Sequence, residues 1–326
     1  MKTNELYAVP QILREFLIYL QTIKGKSEKT VNEYYLDLRT FFRFLKLNRG
    51  LVPSSVDFNE IDISDLNLEF IKTVSLMDAY EFLTYCSNER DNRSASRARK
   101  CCAIRNYFKY LTLKAGKLDI NPMEQLDSPK LQKALPKHLS LDQSKNLLSV
   151  VDGSYQERDY CILTLFLNCG MRLSELCGLN LSDIQDNMIK VTGKGNKQRI
   201  IYLNDACLKA IQGYLPVRAK GISVIKDRNA LFLSRLGNRI SNKTVQYIVY
   251  QNLEKAGLGG QGLSVHKLRH TAATLMYQYG HVDIRVLKDV LGHENLGTTE
   301  IYTHLSAKQL EDAANSNPLS KVKNED

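Results

Sequence analysis

The stretch His266-Lys267-Leu268-Arg269-His270 places two histidines and an arginine within five residues. Nearer the C-terminus, Leu291-Gly292-His293 is followed by Tyr302, nine residues after the last histidine. Upstream lie Gly170-Met171-Arg172 and Gly193-Lys194. Each of these residues alone would be an ordinary surface or helix-end residue. Their order along one chain, from four separate segments, indicates a single site.

The residue types in this set suit the chemistry of a phosphodiester. A guanidinium pairs bidentately with phosphate and stays protonated, and no metal-binding motif is evident in the chain, so we expect Arg172 and Arg269 to meet the charge of a phosphate under attack. A tyrosine is a weak nucleophile at neutral pH until a base or a cationic field assists it. His266 and His293 can transfer protons near neutral pH. The sequence therefore predicts phosphoryl transfer through Tyr302.

This order of residues resembles the tyrosine recombinases of the phage-integrase and Xer type. The resemblance fills all six catalytic positions and covers the N-terminal half in general pattern. It implies site-specific recombination of duplex DNA through a covalent 3′-phosphotyrosyl link and a Holliday junction, and it gives protonation of the 5′-leaving oxygen to Lys194 rather than Lys197. The implied catalytic residues are Arg172, Lys194, His266, Arg269, His293 and Tyr302. We expect no cofactor, since the phosphotyrosyl link stores the bond energy and no Gly-x-x-x-x-Gly-Lys-Ser/Thr loop occurs.

Two neighbouring residues are expected to support this site. Glu175 lies three residues after Arg172, which places the two on one face of a helix, so its carboxylate can hold the guanidinium. His270 follows Arg269 directly and is either a supporting residue or a structural histidine.

Composition agrees with a DNA-handling protein. The chain has 326 residues and a formal net charge of +10, which favours polyanionic partners. The N-terminus is polar and no apolar run is long enough to span a membrane, so we expect a cytoplasmic protein without a membrane partner. Seven cysteines form no Cys-x-x-Cys pair and are expected to be reduced core residues: Cys86, Cys101, Cys102, Cys161, Cys169, Cys177 and Cys207.

The N-terminal half has the pattern of four helices. They are predicted over residues 10–23, after the N-cap Ser27, over 77–87 and over 92–114. The second helix has apolar residues at alternating spacings of three and four, namely Val31, Tyr34, Tyr35, Leu38, Phe41, Phe42 and Leu45. Four helices of this kind resemble the SAM-like core-binding domain of the family.

The fourth predicted helix has a basic face. Arg93, Arg97 and Lys100 recur at i, i+4 and i+7, with Arg99 and Arg105 nearby. Such a face is often only solvated, but a catalytic half that acts on duplex DNA favours phosphate contacts. Further predicted DNA contacts are Lys130, Lys133, Lys137 and Lys243.

Prolines mark the boundary between the halves. Pro122, Pro129 and Pro136 interrupt any continuous helix. We therefore expect a core-binding domain over 1–116, a linker over 117–138 and a catalytic domain over 139–326.

The second half is predicted to be mainly helical with one small antiparallel sheet. Ser140 and Gln143 form a capping box at the start of a helix. Residues 188–191 and 199–202 flank a Gly-Lys-Gly-Asn turn and predict a hairpin. Helices are predicted over 141–151, 158–168, 243–255, 266–279, 284–291 and 298–304.

The resemblance also implies partners. Four protomers assemble on paired DNA sites, either as copies of this chain or together with a second recombinase, and a DNA translocase is a further expected regulator. The segment after His304 is expected either to fray or to dock on a neighbouring protomer.

Four other functions agree less well with the sequence. The two-domain layout favours an Xer-like role in resolving chromosome dimers over the integrase of a mobile element, and the short helical first domain argues against a type IB topoisomerase. A recombinase that binds without cutting would need a gap in the catalytic set, and none is seen. A zinc hydrolase built on His266 and His270 would need a glutamate where Lys267 stands.

Overall fold

The structure, a computed structural model, describes residues 9–130, 137–193, 197–280, 282–292 and 299. The chain divides into two compact units, Met1–Lys133 and Ala134–Asp326. Most of the described elements are helices, and the strands form one three-stranded sheet. The predicted fold class, mainly helical with a small antiparallel sheet, is confirmed. None of the helices in these ranges is long and apolar enough to cross a membrane.

The described part of the first unit contains five α-helices. They are α1 (Gln11–Ile18, continued by a π-helical turn, Tyr19–Ile23), α2 (Glu28–Asn48), α3 (Leu68–Lys72), α4 (Leu76–Asn88) and α5 (Ser94–Leu113). Ser27 caps α2 as predicted, because its hydroxyl accepts the backbone N–H of Thr30 at 3.3 Å. The sequence pattern missed α3, since five residues are too few to show a helical period.

An aromatic core holds the first unit together. The predicted stripe of α2 is largely buried, and Phe41 lies edge-on to Phe82 of α4 with ring centroids 5.2 Å apart. Met123 and Leu126 are buried in the same core. The first unit therefore continues past residue 116, where the sequence predicts a linker to begin.

The described part of the second unit contains seven α-helices. They are α6 (Leu141–Ser149), α7 (Gln156–Cys169), α8 (Leu173–Gly178), α9 (Asp205–Tyr214), α10 (Asn242–Lys255), α11 (Val265–Gln278) and α12 (Ile284–Leu291). The apolar helix α7 is central and contacts both α9 and α11. The capping box is confirmed, because Ser140 and Gln143 each accept the other's backbone N–H. All seven cysteines are free, and six of them are buried.

The sheet has the strand order β1 (Ile184–Gln185), β2 (Met188–Thr192), β3 (Gln198–Tyr202). Strands β2 and β3 pair antiparallel, which confirms the predicted hairpin. β1 was not predicted, since two residues show no alternation. On the inner face Ile189, Val191 and Ile201 are buried in the core of this unit, so β2 and β3 pack on that core.

Helix α12 precedes Gly292 and the predicted catalytic residue His293. Its bounds agree with the predicted range, and Leu287 and Leu291 pack with Ala273 of α11 in a small apolar cluster. The helix ends at Gly292, whose φ of +65° is a left-handed conformation that suits glycine. Of the helix predicted over 298–304, residue 299 alone belongs to the described residues, so this prediction is not tested.

Candidate active site

Arg172 and Glu175 are in direct contact, as predicted. Arg172 precedes helix α8 in an extended conformation, with φ of −75° and ψ of 150°. Glu175 reaches back and accepts both the backbone N–H of Arg172 and its Nη1, each at 2.8 Å. The assumed geometry was wrong, because Arg172 lies before the helix instead of on its face. The carboxylate therefore caps the helix and orients the guanidinium at the same time.

A third arginine, which the sequence pattern did not single out, shares this carboxylate. Arg199 of β3 donates from Nη1 and Nη2 to the two oxygens of Glu175 at 2.6 and 2.9 Å. Burial is the largest influence on the Glu175 carboxyl and raises its pKa, but hydrogen bonds and charge from Arg199 and Arg172 outweigh it and lower the pKa to about 2. Glu175 is therefore a carboxylate throughout the neutral range.

The arginines converge on the C-terminal end of helix α12. Arg269 of α11 is buried and donates from Nη2 to the carbonyl of Leu291 at 2.6 Å. Arg172 donates from Nη2 to the carbonyl of Gly292 at 2.8 Å. These carbonyls lack helical partners and carry partial negative charge, so the cations satisfy them.

Arg269 also anchors the end of helix α7. Its Nη1 donates to the carbonyl of Gly170 at 2.7 Å. Gly170 has a φ of +58° and ends α7 in the left-handed conformation. The segment that leads into Arg172 is thereby joined to α11, so both predicted arginines belong to one hydrogen-bonded cluster.

The rings of the two histidines of α11 contact one another edge-on. The rings of His266 and His270 are 4.5 Å apart and nearly perpendicular, and His270 is buried. Burial lowers the pKa of His266, and the charges of Arg269, Lys267 and Arg172 lower it further. His266 is therefore a neutral imidazole at neutral pH, in the form that accepts a proton.

Three of the predicted catalytic residues, Lys194, His293 and Tyr302, lie outside the described residues, although described neighbours of two of them reach the cluster. A Cβ atom on Gly193 would lie 3.3 Å from Oε1 of Glu175 and 3.8 Å from Nη1 of Arg172. Gly292 accepts its hydrogen bond from the same arginine.

The basic residues of α5 have several different environments. Lys100 is buried and donates to Asp37 at 3.0 Å, so it does not belong to a solvated face. Burial raises the pKa of Asp37 and outweighs its cationic neighbours. Arg99 pairs with Glu33 and Asp37. The helical spacing that grouped Lys100 with Arg93 and Arg97 was therefore misleading.

The remaining predicted DNA contacts are more accessible. Arg93 is exposed and Arg97 is half-buried, with a 3.4 Å hydrogen bond to Ser94. Arg105 donates to the carbonyl of Leu126 and to Ser128. The exposed lysines are Lys130, Lys137 and Lys243, whereas Lys133 lies outside the described residues.

The second half of the chain matches the model of the phage integrase family over residues 137–309. The chain belongs to the phage integrase family. This match includes every position of the predicted catalytic set, from Arg172 to Tyr302.

Similar proteins carry the names of tyrosine recombinases. The chain is 52% identical to tyrosine recombinase XerC of Caldanaerobacter subterraneus subsp. tengcongensis, over 97% of this chain and 89% of that protein. It is 32% identical to tyrosine recombinase XerD of Proteus mirabilis, over 92% and 90%. The crystal structure of XerH bound to a palindromic difH substrate has a TM-score of 0.67 at 22% identity, over 88% and 79%, which supports the fold. As a member of the phage integrase family, the chain thus has both units in common with its relatives.

Proposed function

We propose that this chain is an Xer-like site-specific recombinase that cuts and rejoins duplex DNA through a 3′-phosphotyrosyl intermediate and a Holliday junction. One observation carries the proposal. Arg172 and Arg269 reach consecutive carbonyls, those of Gly292 and Leu291, directly before the histidine and tyrosine of the family motif. Relatives named XerC and XerD support the Xer type.

In the proposed reaction, the two arginines bind the non-bridging oxygens of the scissile phosphate. Described partners use two of the five N–H donors of Arg172, and one third of its side chain is exposed. Donors therefore remain for a phosphate. Removal of either arginine should lower the cleavage rate by about 10²- to 10³-fold, in analogy with the loss of one oxyanion-hole donor.

Two proton transfers are needed, one from the tyrosine nucleophile and one to the leaving 5′-oxygen. The Tyr302 oxygen forms a bond to phosphorus while neutral His266 accepts the phenolic proton, and His293 donates a hydrogen bond to the phosphate. The bond from phosphorus to the 5′-oxygen breaks, and Lys194 protonates that oxygen. Attack by a 5′-hydroxyl of the exchanged strand then restores Tyr302, so no ATP is consumed.

DNA binding is proposed to involve both units. The described candidates that are exposed are Arg93, Arg99, Lys130, Lys137 and Lys243, whereas Arg97 and Arg105 are half-buried. We propose that four protomers act on paired sites, with copies of this chain or a second recombinase completing the set and a DNA translocase as regulator.

The nucleophile is tested with a nicked suicide substrate, from which the cleaved strand diffuses away. Wild-type protein should form a denaturant-resistant DNA adduct, and Tyr302→Phe should bind the same DNA but form none. Tyr279→Phe, which alters an exposed tyrosine at the end of α11, is the matched control and should retain the adduct. An adduct mapped to another tyrosine would refute the assignment.

The biological role is tested by mapping trapped adducts across the genome of the source organism. Resolution of chromosome dimers, the role that the two-domain layout of the sequence favours, predicts one chromosomal site. Two sites that flank an excisable element would instead identify a mobile-element integrase.

A further inference from the structure

The Glu175 carboxylate lies between two arginines that differ in exposure. Its side chain is fully buried, that of Arg199 is 15% exposed and that of Arg172 is 33% exposed. Oε1 accepts Nη1 of both arginines, and Oε2 accepts Nη2 of Arg199 together with the backbone N–H of Arg172. Arg199 thus has the bidentate pairing, whereas Arg172 donates only one guanidinium hydrogen bond to the shared carboxylate.

Arg199 also contacts the last turn of helix α12. Its Nε donates to the carbonyl of Val290 at 3.1 Å. A Cβ atom on Gly292 would lie 3.1 to 3.2 Å from the Arg199 side chain, which shows how closely the two pack. One side chain therefore joins β3, the carboxylate beside Arg172 and the residues that precede His293.

We infer that Arg199 is a positioning residue for DNA cleavage: it occupies the carboxylate of Glu175 so that Arg172 stays available to the phosphate, and it fixes the end of α12. This inference rests on the proposed role of Arg172. In this scheme Arg199 acts through Glu175 and the end of α12, to which its three described hydrogen bonds go.

Loss of Arg199 should have two consequences that loss of a merely structural arginine would not. Arg172 becomes the only guanidinium on the buried carboxylate and is drawn toward it, away from the phosphate. Among the described residues, the charged groups that shift the Glu175 pKa are Arg172, at the start of its own helix, and Arg199, on β3. Val290 of α12 and the following Gly292 offer backbone carbonyls to these two arginines. Without Arg199, burial raises the Glu175 pKa toward the working pH range.

The test compares Arg199→Gln with Arg239→Gln. Arg239 is a suitable control because it also joins a carboxylate to backbone carbonyls, pairing with Asp227 at 3.0 Å and with the carbonyls of Gly178 and Leu179 at 2.8 Å. Adduct formation on the suicide substrate is measured in single turnover from pH 5 to 8, together with DNA affinity and melting temperature.

We expect Arg199→Gln to bind DNA within about threefold of wild type but to cleave it about 100-fold more slowly, since a misplacement of about 1 Å in a catalytic group has an effect of this size. Relative to wild type at the same pH, part of the lost rate should return as the pH drops, because protonated Glu175 no longer draws Arg172 away from the phosphate. Glu175→Gln combined with Arg199→Gln should lack this extra pH dependence. Arg199→Lys keeps the charge without the planar fork and should recover only part of the rate.

Equal losses of rate and identical pH profiles in the Arg199 and Arg239 variants would overturn the inference and leave a structural role. A wild-type rate in Arg199→Gln would overturn it as well. Failure of the proposed function has a different signature, since the wild-type protein would then form no adduct through Tyr302. If Arg199→Gln does not fold, the same measurements are made on Arg199→Lys. A full wild-type cleavage rate in Arg199→Lys would show that the planar guanidinium of Arg199 is not needed, and would overturn the inference.

Discussion

Gly170 allows a sharp test of how tightly the arginine cluster is built. The residue ends α7 with a φ of +58°, and its carbonyl accepts Nη1 of Arg269. A Cβ atom at this position would lie 2.8 Å from Cδ2 of Leu291 and 3.5 Å from Cβ of Ala272. Gly170→Ala should therefore strain the backbone and press on α12 at once.

The two effects have separate magnitudes. The left-handed conformation costs a residue with a Cβ about 1 to 2 kcal/mol. Leu291 is fully buried, so it has little room to rotate away, and overpacking of this kind adds about 1 to 3 kcal/mol. We expect Gly170→Ala to lower the free energy of unfolding by about 2 to 5 kcal/mol in all.

Gly257→Ala isolates the backbone effect. Gly257 follows α10 with a φ of +70°, and a Cβ atom added there would meet open space, with no contact within 4 Å. This control should lose only about 1 to 2 kcal/mol. The assay is urea unfolding followed by circular dichroism, with adduct formation measured on the folded proteins. Equal losses of stability in the two variants would show that Leu291 yields easily and would refute the reasoning.

Three other contacts lead to measurable expectations. The pKa of Glu175 in the folded protein is about 2, against an ordinary value of 4.5. The charged carboxylate therefore stabilises the fold by about 3 kcal/mol above about pH 4.5, and this stabilisation is lost as the pH falls toward about 2. The difference in unfolding free energy between wild type and Glu175→Gln, measured by urea titration at each pH, should shrink over the same range. Replacing both Arg93 and Arg97 by alanine should flatten the slope of log affinity against log salt by about 2 units. Lys100→Met should leave that slope unchanged but lower the melting temperature. A change of slope in Lys100→Met would contradict the burial of Lys100. Sulfur in place of the bridging 5′-oxygen should restore cleavage by Lys194→Ala but not by an Arg172 variant, and equal behaviour of the two would show that the roles are wrong.

Local patterns in the sequence predicted those features that depend on neighbours along the chain. The capping box of Ser140 and Gln143 closes within three residues, and the β2–β3 hairpin is marked by its turn. Helix α12 has an apolar period and a glycine after its last residue. Each of these features depends on residues that are close in sequence, so packing against the rest of the chain does not change it.

Long-range pairing could not be predicted in the same way. Lys100 meets Asp37 across 63 positions, and periodicity alone does not tell whether a basic face meets solvent or a buried acid. Arg199 lies on the inner face of β3 with Ile201, but Ile200 and Tyr202 are apolar as well, so the alternation does not reveal which face is inward. The one feature of the sequence that could have drawn attention to Arg199 is its charge within a short, largely apolar strand.

The hydrogen bonds that join the arginines to α7 and α12 connect residues far apart in sequence. Arg269 and Gly170 are 99 positions apart, Arg199 and Val290 are 91 apart, and Arg172 and Gly292 are 120 apart. Closure of such long loops is slow and depends on prior packing of the intervening helices. During synthesis, the cluster therefore cannot form until residue 292 has been added. A nascent chain that already contains all three arginines still lacks the carbonyls that align them, which delays the assembly of a cutting site until almost the whole catalytic unit exists.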